Sequence, residues 1–331
     1  MIDYEKYKIA VAPMMERTDR HCRYFMRLIS RQVVLYSEMV TTSALLHGNH
    51  EDLLKHDPGE NPVVLQLGGN EPSELAICSA MGEDSGYDEI NLNIGCPSTR
   101  VQSGRIGACL MAEPTLVAEC VYAMSAAVSV PVTVKTRIGI DDQDSYDSLC
   151  NFVEVVSSGG CGHFIIHARK AVLKGLSPRE NRTIPPLRYD YVHRIKRDFP
   201  GLRISINGGL KTPDQIRAQL QHVDAVMIGR EAYDNPYLLA EIQGISAADD
   251  EQPVSREEII RKLGAYIARE QRSGVKPAYI LRHVYGLYKG RPGARIWRRE
   301  LGNALRADQD IGVLMDALSK HEGRVQGGIA R

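Results

Sequence analysis

The 331-residue sequence lacks the features of several protein classes. It contains no apolar run of about 18 residues, the length that a membrane-spanning helix requires. Its first residues, which include Asp3 and Glu5, do not form the apolar segment of a secretory signal peptide. We therefore expect a protein of the cytoplasm, without a membrane partner.

Cysteine is present, but in a pattern that argues against two common uses. The seven cysteines are odd in number, and none belongs to a Cys-x-x-Cys pair. Disulfide frameworks need paired cysteines and zinc sites need closely spaced ones, so we expect neither, and no other metal site. Reduced thiols are typical of the cytoplasm.

The chain has no net charge, but its charges are unevenly distributed. From residue 251 to the end, 16 Lys and Arg face nine Asp and Glu, so this region carries +7 and the first 250 residues carry −7. A basic C-terminal region indicates a polyanionic partner. A helical face exposed to solvent is the alternative explanation.

Short apolar runs alternate with segments of helical periodicity before residue 245. Strands buried on both faces have such runs. Eight alternations predict an α/β fold, a (β/α)8 TIM barrel. An open doubly wound sheet would instead need a Gly-x-Gly-x-x-Gly turn after the first strand, where this chain has Ala12-Pro13-Met14-Met15-Glu16-Arg17. The predicted strands are 9–13, 33–37, 62–67, 88–93, 130–136, 163–167, 203–207 and 225–229.

A polar stretch without periodicity, residues 244–253, follows the last predicted strand. It has the composition of a linker, so we predict a catalytic barrel over residues 1–244 and a second domain over 253–331. The second domain is predicted to be a small all-α helical bundle. Its helices are expected at 256–271, 277–289, 294–305 and 308–320.

Cys96 follows the fourth predicted strand, in the segment Asn91-Leu92-Asn93-Ile94-Gly95-Cys96-Pro97-Ser98. Pro97 prevents the sheet ladder from continuing, and Gly95 permits a tight turn. The segment therefore places a thiol at the mouth of the barrel. A small buried core residue is the alternative reading of Cys96.

Polar residues end most of the other predicted strands, at the rim where TIM barrels place their active sites. So many polar side chains at one rim predict an active site. Glycines at the ends of the last two strands supply the bare backbone that binds phosphate in such barrels, although tight turns would also explain them. These strand ends are Gln66, Lys135, His167, Asn207-Gly208-Gly209 and Gly229-Arg230.

As a set, these motifs resemble those of the tRNA-dihydrouridine synthases. They occur in that family's order, and the segments 101–111, 177–187 and 291–299 resemble its A subfamily. The matching motifs are Ala12-Pro13-Met14-Met15, Gln66-Leu67-Gly68-Gly69, Asn91-x-Asn93-x-Gly95-Cys96-Pro97-Ser98, Lys135-Thr136-Arg137-Ile138-Gly139, Ile166-His167-Ala168-Arg169, Asn207-Gly208-Gly209 and Ile228-Gly229-Arg230.

The resemblance implies an FMN-dependent, NADPH-driven oxidoreductase that reduces the C5=C6 bond of D-loop uridines in tRNA, at positions 20 and 20a. Hydride would pass from the flavin to C6, and Cys96 would donate a proton to C5. An ordinary thiol keeps its proton at neutral pH, as this role requires. The implied FMN-binding residues are Pro13, Met14, Met15, Gln66, Lys135, His167, Asn207, Gly208, Gly209, Gly229 and Arg230.

The resemblance implies that the barrel, residues 1–244, binds FMN and is catalytic, and that the helical domain, residues 253–331, binds tRNA. It also implies individual contacts with tRNA. We assign these to Asn93, near the base, and to exposed arginines. Trp297 is expected in the core of the helical domain rather than against a base. Because no separate nicotinamide-binding motif is present, NADPH and tRNA would use one flavin face in turn. Separately, we expect a monomer. The arginines are Arg179, Arg182, Arg295, Arg298 and, as a further contact, Arg299.

Three other functions are compatible with parts of this pattern. A flavin-dependent dehydrogenase of free pyrimidines would share the barrel and the cofactor, but would not explain the basic tail. A non-catalytic RNA-binding protein would retain the barrel without flavin. A lyase or aldolase would use Lys135 to form a Schiff base with its substrate.

Overall fold

The fold is described from a computed structural model, which covers residues 2–246 and 252–307. Its central element is a closed barrel of eight parallel strands, paired in chain order, with β8 pairing to β1. The predicted TIM barrel is confirmed. The strands are β1 (Ile9–Val11), β2 (Val34–Thr41), β3 (Val63–Gly68), β4 (Glu89–Ile94), β5 (Val132–Arg137), β6 (His163–His167), β7 (Arg203–Asn207) and β8 (Ala225–Ile228).

Helices separate the strands and follow the barrel, as the periodicity predicted. In the parts of the chain that are described, no helix has the length and apolar content needed to cross a membrane. The helices are α1 (Arg20–Ile29), α2 (Thr42–His47), α3 (His50–Leu54), α4 (Pro72–Asp84), α5 (Thr99–Ser103), α6 (Pro114–Ala127), α7 (Tyr146–Ser158), α8 (Tyr189–Asp198), α9 (Pro213–Leu220), α10 (Arg230–Asp234), α11 (Leu238–Glu241), α12 (Gln243–Ser246), α13 (Arg256–Arg272), α14 (Pro277–Leu281) and α15 (Ala294–Ala307).

β2 extends beyond the predicted range 33–37. Its pairing with β3 is irregular between Tyr36 and Met39, which is where the apolar run ends in the sequence. At this irregularity the Ser37 hydroxyl accepts a hydrogen bond from the backbone N–H of Gln66 at 2.9 Å. A polar side chain therefore satisfies a backbone donor that a regular ladder would pair.

The strands carry an apolar set and a polar set of side chains. The apolar cluster includes Val34, Val64, Ile165 and Met227, from β2, β3, β6 and β8. β4 and β5, by contrast, have polar residues at alternate positions. Since alternate residues of a strand share a face, each strand presents one polar face. These residues are Glu89, Asn91 and Asn93 on β4, and Thr133, Lys135 and Arg137 on β5.

The molecule divides into two compact units. The first comprises Met1–Glu16 and Val33–Gly229, and the second comprises Arg17–Gln32 and Arg230–Arg331. Residues 17–32 and 230–244, which the sequence assigned to the barrel domain, therefore cluster with the C-terminal helices. The assignment of catalysis to one predicted domain and of tRNA binding to the other stays a prediction.

Aromatic contacts form the core of the second unit. The ring of Tyr24, on α1, stacks on that of Tyr266, on α13, with 3.8 Å between the ring centroids. Trp297, on α15, is buried, and its indole N–H donates to the carbonyl oxygen of Val284 at 3.1 Å. The predicted core position of Trp297 is confirmed.

Two predicted helices of the second unit agree with α13 and α15. The predicted helix 277–289 is wrong beyond Leu281, where turns replace it. Backbone hydrogen bonds there span three residues, as from the N–H of His283 to the carbonyl oxygen of Ile280 at 3.2 Å, which is the spacing of turns rather than of an α-helix. Residues 247–251, which are half of the predicted linker, and the predicted helix 308–320 lie outside the described residues.

Asp19 fixes the start of α1 within the second unit. Its carboxylate accepts a hydrogen bond from the backbone N–H of Cys22 at 2.9 Å and pairs with Arg282 at 2.5 Å and His283 at 3.1 Å. Burial alone would raise the pKa of Asp19, but the hydrogen bonds and charge of His283, Cys22 and Arg282 hold it well below its usual value. Asp19 is thus both a helix cap and an ion-pair partner.

We expect Asp19→Ala to lower the free energy of unfolding by about 2 kcal/mol, because it removes both the helix cap and the carboxylate that pairs with Arg282 and His283. Asp19→Asn should lose less, since asparagine also caps helices. Because the pKa is lowered on folding, this stabilisation is present above about pH 4 and is lost as the pH falls further. Calorimetry of the wild type and the variants at pH 7 and at about pH 2 measures both effects.

The matched control is Asp214→Ala on α9. The Asp214 side chain is 94% exposed and pairs only on the surface with Arg217, so its loss should cost less than about 0.5 kcal/mol. Equal losses for the Asp19 and Asp214 variants would contradict the capping role.

Candidate active site

Cys96 lies two residues beyond the end of β4, in a half-buried turn. The backbone N–H groups of Gly95 and Cys96 both donate to Oδ1 of Asn93, each at 3.0 Å. The carbonyl oxygen of Cys96 accepts a hydrogen bond from the N–H of Ala108 at 2.9 Å. The backbone of Cys96 is therefore held on both sides. The alternative reading required a fully buried core residue, whereas Cys96 is half-buried.

The glycine that this turn requires is Gly107 rather than Gly95. Gly107 has a φ of +78°, and a Cβ there would lie 2.6 Å from the carbonyl oxygen of Cys96. A Cβ on Gly95 would meet no atom closer than 3.5 Å. A side chain at position 107 would thus displace the carbonyl of Cys96.

Arg137 and Gln102 join the Cys96 turn to the loop after β6. Arg137 Nε donates to the carbonyl oxygen of Gly95 at 2.9 Å, and its Nη1 donates to two carbonyl oxygens of the loop, Lys170 at 3.1 Å and Asn181 at 2.9 Å. Gln102 Nε2 bonds one carbonyl oxygen of each segment, at 2.8 and 2.9 Å. The two segments are therefore one hydrogen-bonded structure.

Sequence reasoning gave neither residue a role. The signal for Arg137 was present, since Thr133-x-Lys135-x-Arg137 places three polar residues on one face of a strand. Gln102 lies on α5, a single short helix, and no pattern distinguishes it.

The predicted residues of β3, β5, β6 and β7 meet in the barrel mouth. Lys135 Nζ lies 3.4 Å from Oδ1 of Asn207, which connects β5 to β7 across β6. Oε1 of Gln66 accepts a hydrogen bond from Nδ2 of Asn93 at 2.8 Å. The ring of His167, 9% exposed, adjoins the backbone after Asn207. Sequence position alone had predicted this grouping.

The mouth has a surplus of positive charge. Burial, and then the charge of Arg137, lowers the pKa of Lys135 to about 7, while Cys96 opposes the shift. Burial, followed by Arg137 and Lys135, lowers the pKa of His167 well below its usual value. Burial lowers the pKa of Arg137 to about 10, again opposed by Cys96. These shifts have the sign expected of a site that accepts an anion.

The glycines that follow β7 and β8 differ in their surroundings. Gly208 and Gly209 have φ values of +119° and +75°, and a Cβ on either would lie 2.6 Å from a side-chain atom, of His167 and Leu187 respectively. A Cβ on Gly229 would meet nothing nearer than 3.9 Å. The turn itself thus explains the first two glycines, whereas the open space at Gly229 suits a bound group.

The other residues predicted to bind the cofactor lie nearer the surface. Pro13 and Met14 are half-buried, and Met15 is 57% exposed. Arg230 is exposed, and it begins α10 in the second unit. Their predicted contacts with a flavin stay predictions.

The arginines predicted to contact tRNA are exposed in each unit. Arg179 and Arg182 lie in the loop after β6 of the first unit, and Arg295 and Arg298 lie on α15 of the second. Arg299, also on α15, is exposed and pairs with the adjacent Glu300 at 2.9 Å.

Thiols and acids do not assemble into a metal site in the described residues. All seven cysteines are free. Within residues 2–246 and 252–307, no three His, Cys, Asp or Glu side chains group closely enough to hold a metal ion.

Comparison with known proteins decides the family. Residues 10–321 match the family model described as dihydrouridine synthase (Dus). The chain belongs to the dihydrouridine synthase family. Its members are flavin-dependent enzymes, so the chain is an oxidoreductase.

Three relatives are each named tRNA-dihydrouridine(20/20a) synthase. The one from Escherichia coli O6:H1 is 56% identical over 321 residues, which cover 95% of this chain and 96% of the relative. The one from Shewanella oneidensis is 56% identical over 292 residues, covering 88% and 87%. The one from Vibrio cholerae is 54% identical over 315 residues, covering 95% and 96%.

The lowered pKa of Lys135 can be measured directly. In flavin-free protein, we expect the Lys135 amine to react with an acylating reagent with a pH midpoint near 7, because burial and Arg137 disfavour its charged form. An ordinary lysine has a pKa of about 10.4. Mass spectrometry of the labelled peptide gives the midpoint, with N-acetyl-lysine amide as the reference amine.

The control for this measurement is Lys135→Met, which should lose the early-titrating reaction and keep the others. A midpoint for Lys135 equal to that of the reference amine would contradict the electrostatic description of the mouth.

Proposed function

We propose that this chain is a tRNA-dihydrouridine synthase that uses FMN and NADPH to reduce D-loop uridines at positions 20 and 20a. The observation that carries the proposal is the fixed thiol of Cys96 beside the cationic mouth, in a chain 56% identical to a relative of that name. We assign the protein to the cytoplasm, because the proposed substrate is tRNA and the cysteines are free thiols. We further propose that it acts as a monomer.

The residues of the mouth fit a flavin mononucleotide. Its phosphate is an anion, and its ring gains negative charge on reduction. Both charges are complementary to the positive side chains around Lys135. We assign ring contacts to Gln66, Lys135 and His167, and packing beside the ring to Pro13, Met14 and Met15. We assign the phosphate to Asn207, Gly208, Gly209, Gly229 and Arg230.

The chemistry that FMN supplies when bound is the transfer of reducing equivalents from NADPH to C6 of the uracil ring. The chain itself supplies the proton. The Cys96 thiol donates it to C5, and Asn93 and Arg137 hold the backbone of the turn that carries this thiol. The ammonium of Lys135 stabilises negative charge nearby.

Asn93 has limited capacity to contact the base. Its Oδ1 accepts two backbone N–H groups, and one N–H of its amide is donated to Gln66. One N–H remains, so Asn93 can act only as a single donor, for example to a carbonyl oxygen of uracil.

The decisive experiment is reduction of unmodified tRNA by the purified holoenzyme with NADPH, followed by mass mapping of dihydrouridine. Dihydrouridine at positions 20 and 20a, and its absence there in cells that lack the protein, is the expected result. Turnover of free uracil or dihydroorotate without tRNA activity would support the free-pyrimidine alternative. A purified protein without flavin absorbance would support the non-catalytic one.

One observation also suits the aldolase-type alternative. A lysine with a pKa near 7, as found for Lys135, is partly unprotonated at neutral pH and therefore nucleophilic. Borohydride trapping of a carbonyl substrate on Lys135 would support that chemistry, and we expect none.

Cys96→Ala should bind FMN and accept electrons from NADPH normally, because neither step needs the thiol. Its reduction of tRNA should fall by about 100-fold or more, the usual contribution of a general acid. Single-turnover reoxidation of the reduced enzyme by tRNA, followed at the flavin absorbance band, measures this step.

Cys109→Ala is the control, since Cys109 is a half-buried thiol that bonds the carbonyl of Ile106 and has no proposed role. Reoxidation of Cys96→Ala at the wild-type rate would remove Cys96 from the mechanism.

Affinity for tRNA should fall steeply with salt, because arginines that neutralise phosphates release counterions. Arg179→Ala and Arg295→Ala should each weaken binding and reduce the slope of log K against log salt by about one. Arg217→Ala is the control, since Arg217 is exposed on α9 and pairs with Asp214. Salt-independent binding would contradict these contacts.

A further inference from the structure

A continuous chain of side-chain hydrogen bonds runs from the Cys96 turn to the opposite end of β4. Asn93 Nδ2 donates to Gln66 Oε1, Gln66 Nε2 to Asn91 Oδ1, and Asn91 Nδ2 to Thr133 Oγ1, each at 2.8 Å. The Thr133 hydroxyl donates to Oε1 of Glu89 at 2.6 Å. All five side chains are at most 8% exposed.

The chain has a fixed direction because both of its ends are fixed. At the mouth, the backbone N–H groups of Gly95 and Cys96 can only donate, so Asn93 must present its oxygen to them. At the other end, the carboxylate of Glu89 also accepts the hydroxyls of Tyr36, at 3.0 Å, and Tyr4, at 2.5 Å. Burial raises the pKa of Glu89, whereas the three hydroxyl donors and the charge of Arg203 oppose the rise and favour the ionised, accepting form. The Thr133 hydroxyl is therefore oriented towards Glu89.

Each intermediate amide is oriented by its neighbours. Because the Thr133 proton is committed to Glu89, only lone pairs remain for Asn91, which must turn its Nδ2 towards Thr133. Gln66 must then turn its Nε2 towards Asn91 and its oxygen towards Asn93. A reversed amide anywhere would bring two donors or two acceptors together, which is costly in a buried site.

Within the described part of the protein, the N–H groups of Gly95 and Cys96 are bound to this hydrogen-bond chain through Asn93. Arg137, Gln102 and Ala108 bind carbonyl oxygens of the turn, whereas the N–H groups of Gly95 and Cys96 are bound by Asn93. Loss of orientation at Asn93 would therefore free those N–H groups while the carbonyl contacts stay in place.

We propose that Glu89 and Thr133, remote from the mouth, are positioning residues that set the Cys96 turn and the Gln66 amide through this one-directional chain. Thr133 is the link that can be removed with least change of shape. The effect on Gln66 rests on the proposed function, since it is read through bound FMN. The effect on Cys96 does not, since it is read in flavin-free protein.

The test is Thr133→Val, which removes the hydroxyl and keeps the side-chain volume. Thr136→Val is a matched control, because Thr136 lies on the same strand, is equally buried, and donates only to the adjacent carbonyl of Arg137 at 3.3 Å. Thr133→Ser, which retains the hydroxyl, should restore wild-type behaviour. The primary measurement is hydrogen exchange of the Gly95 and Cys96 amides in flavin-free protein.

We expect exchange of these two amides to accelerate about threefold or more in Thr133→Val, the scale of coupling within one hydrogen-bond network. Thr136→Val and Thr133→Ser should exchange as wild type does. FMN affinity, measured by fluorescence, should fall in Thr133→Val and not in Thr136→Val. If Thr133→Val does not fold, Glu89→Leu removes the terminal acceptor and should give the same acceleration. Glu89→Gln is its control, because the amide oxygen of glutamine can still accept the Thr133 hydroxyl.

Wild-type exchange in Thr133→Val overturns the proposal, and so does equal acceleration in Thr136→Val, which would mean that any buried threonine of β5 supports the turn. A protein that binds no FMN but shows the selective acceleration would refute the proposed function and leave the positioning role intact. Normal tRNA reduction by Thr133→Val, without the acceleration of exchange, would refute the positioning role and leave the proposed function intact.

Discussion

The position of the Cys96 turn depends on one carboxamide. Asn93 is the last inward polar residue of β4, and its oxygen binds the two N–H groups that follow the strand. Without that acceptor, the chain would leave the barrel with two unpaired donors in a half-buried turn. The segment Asn-x-Gly-Cys is thus a structural unit in which the asparagine shapes the turn after β4 ends at Ile94, and the cysteine takes the position that results.

A polar barrel interior is possible only because its groups satisfy one another. Burying an amide or hydroxyl without a partner costs more than a hydrogen bond returns, so an isolated Asn91 or Gln66 would destabilise the barrel. In the ladder from Asn93 to Glu89, every amide has both an acceptor and a donor among the described residues. The active site therefore continues down the interior as a connected network rather than ending at the rim.

The sequence was sufficient to predict the barrel and the rim, and the reason is local. A short apolar strand with a polar residue at its end is a pattern formed by residues that are neighbours in the sequence. This local pattern was enough to predict the eight strands and the rim residues Gln66, Lys135, His167 and Asn207. Contacts between distant segments have no such pattern. Gln102 and Arg137 bind carbonyl oxygens of a loop far along the chain, and a carbonyl has the same sequence signature everywhere. The membership of α1 in the second unit likewise depends on Tyr24 and Tyr266, some 240 positions apart in the chain.

The two cations of β5 have separate tasks, which explains why one is lysine and the other arginine. The fork of Arg137 reaches three carbonyl oxygens in two segments, a geometry that a single ammonium cannot reproduce. With a pKa of about 10, the guanidinium stays charged near neutral pH, so the scaffold around Cys96 does not change with protonation. Lys135, with a pKa of about 7, gains or loses its proton in that range. Its charge can therefore follow the charge of the ligand in the mouth while the turn that carries the thiol stays fixed.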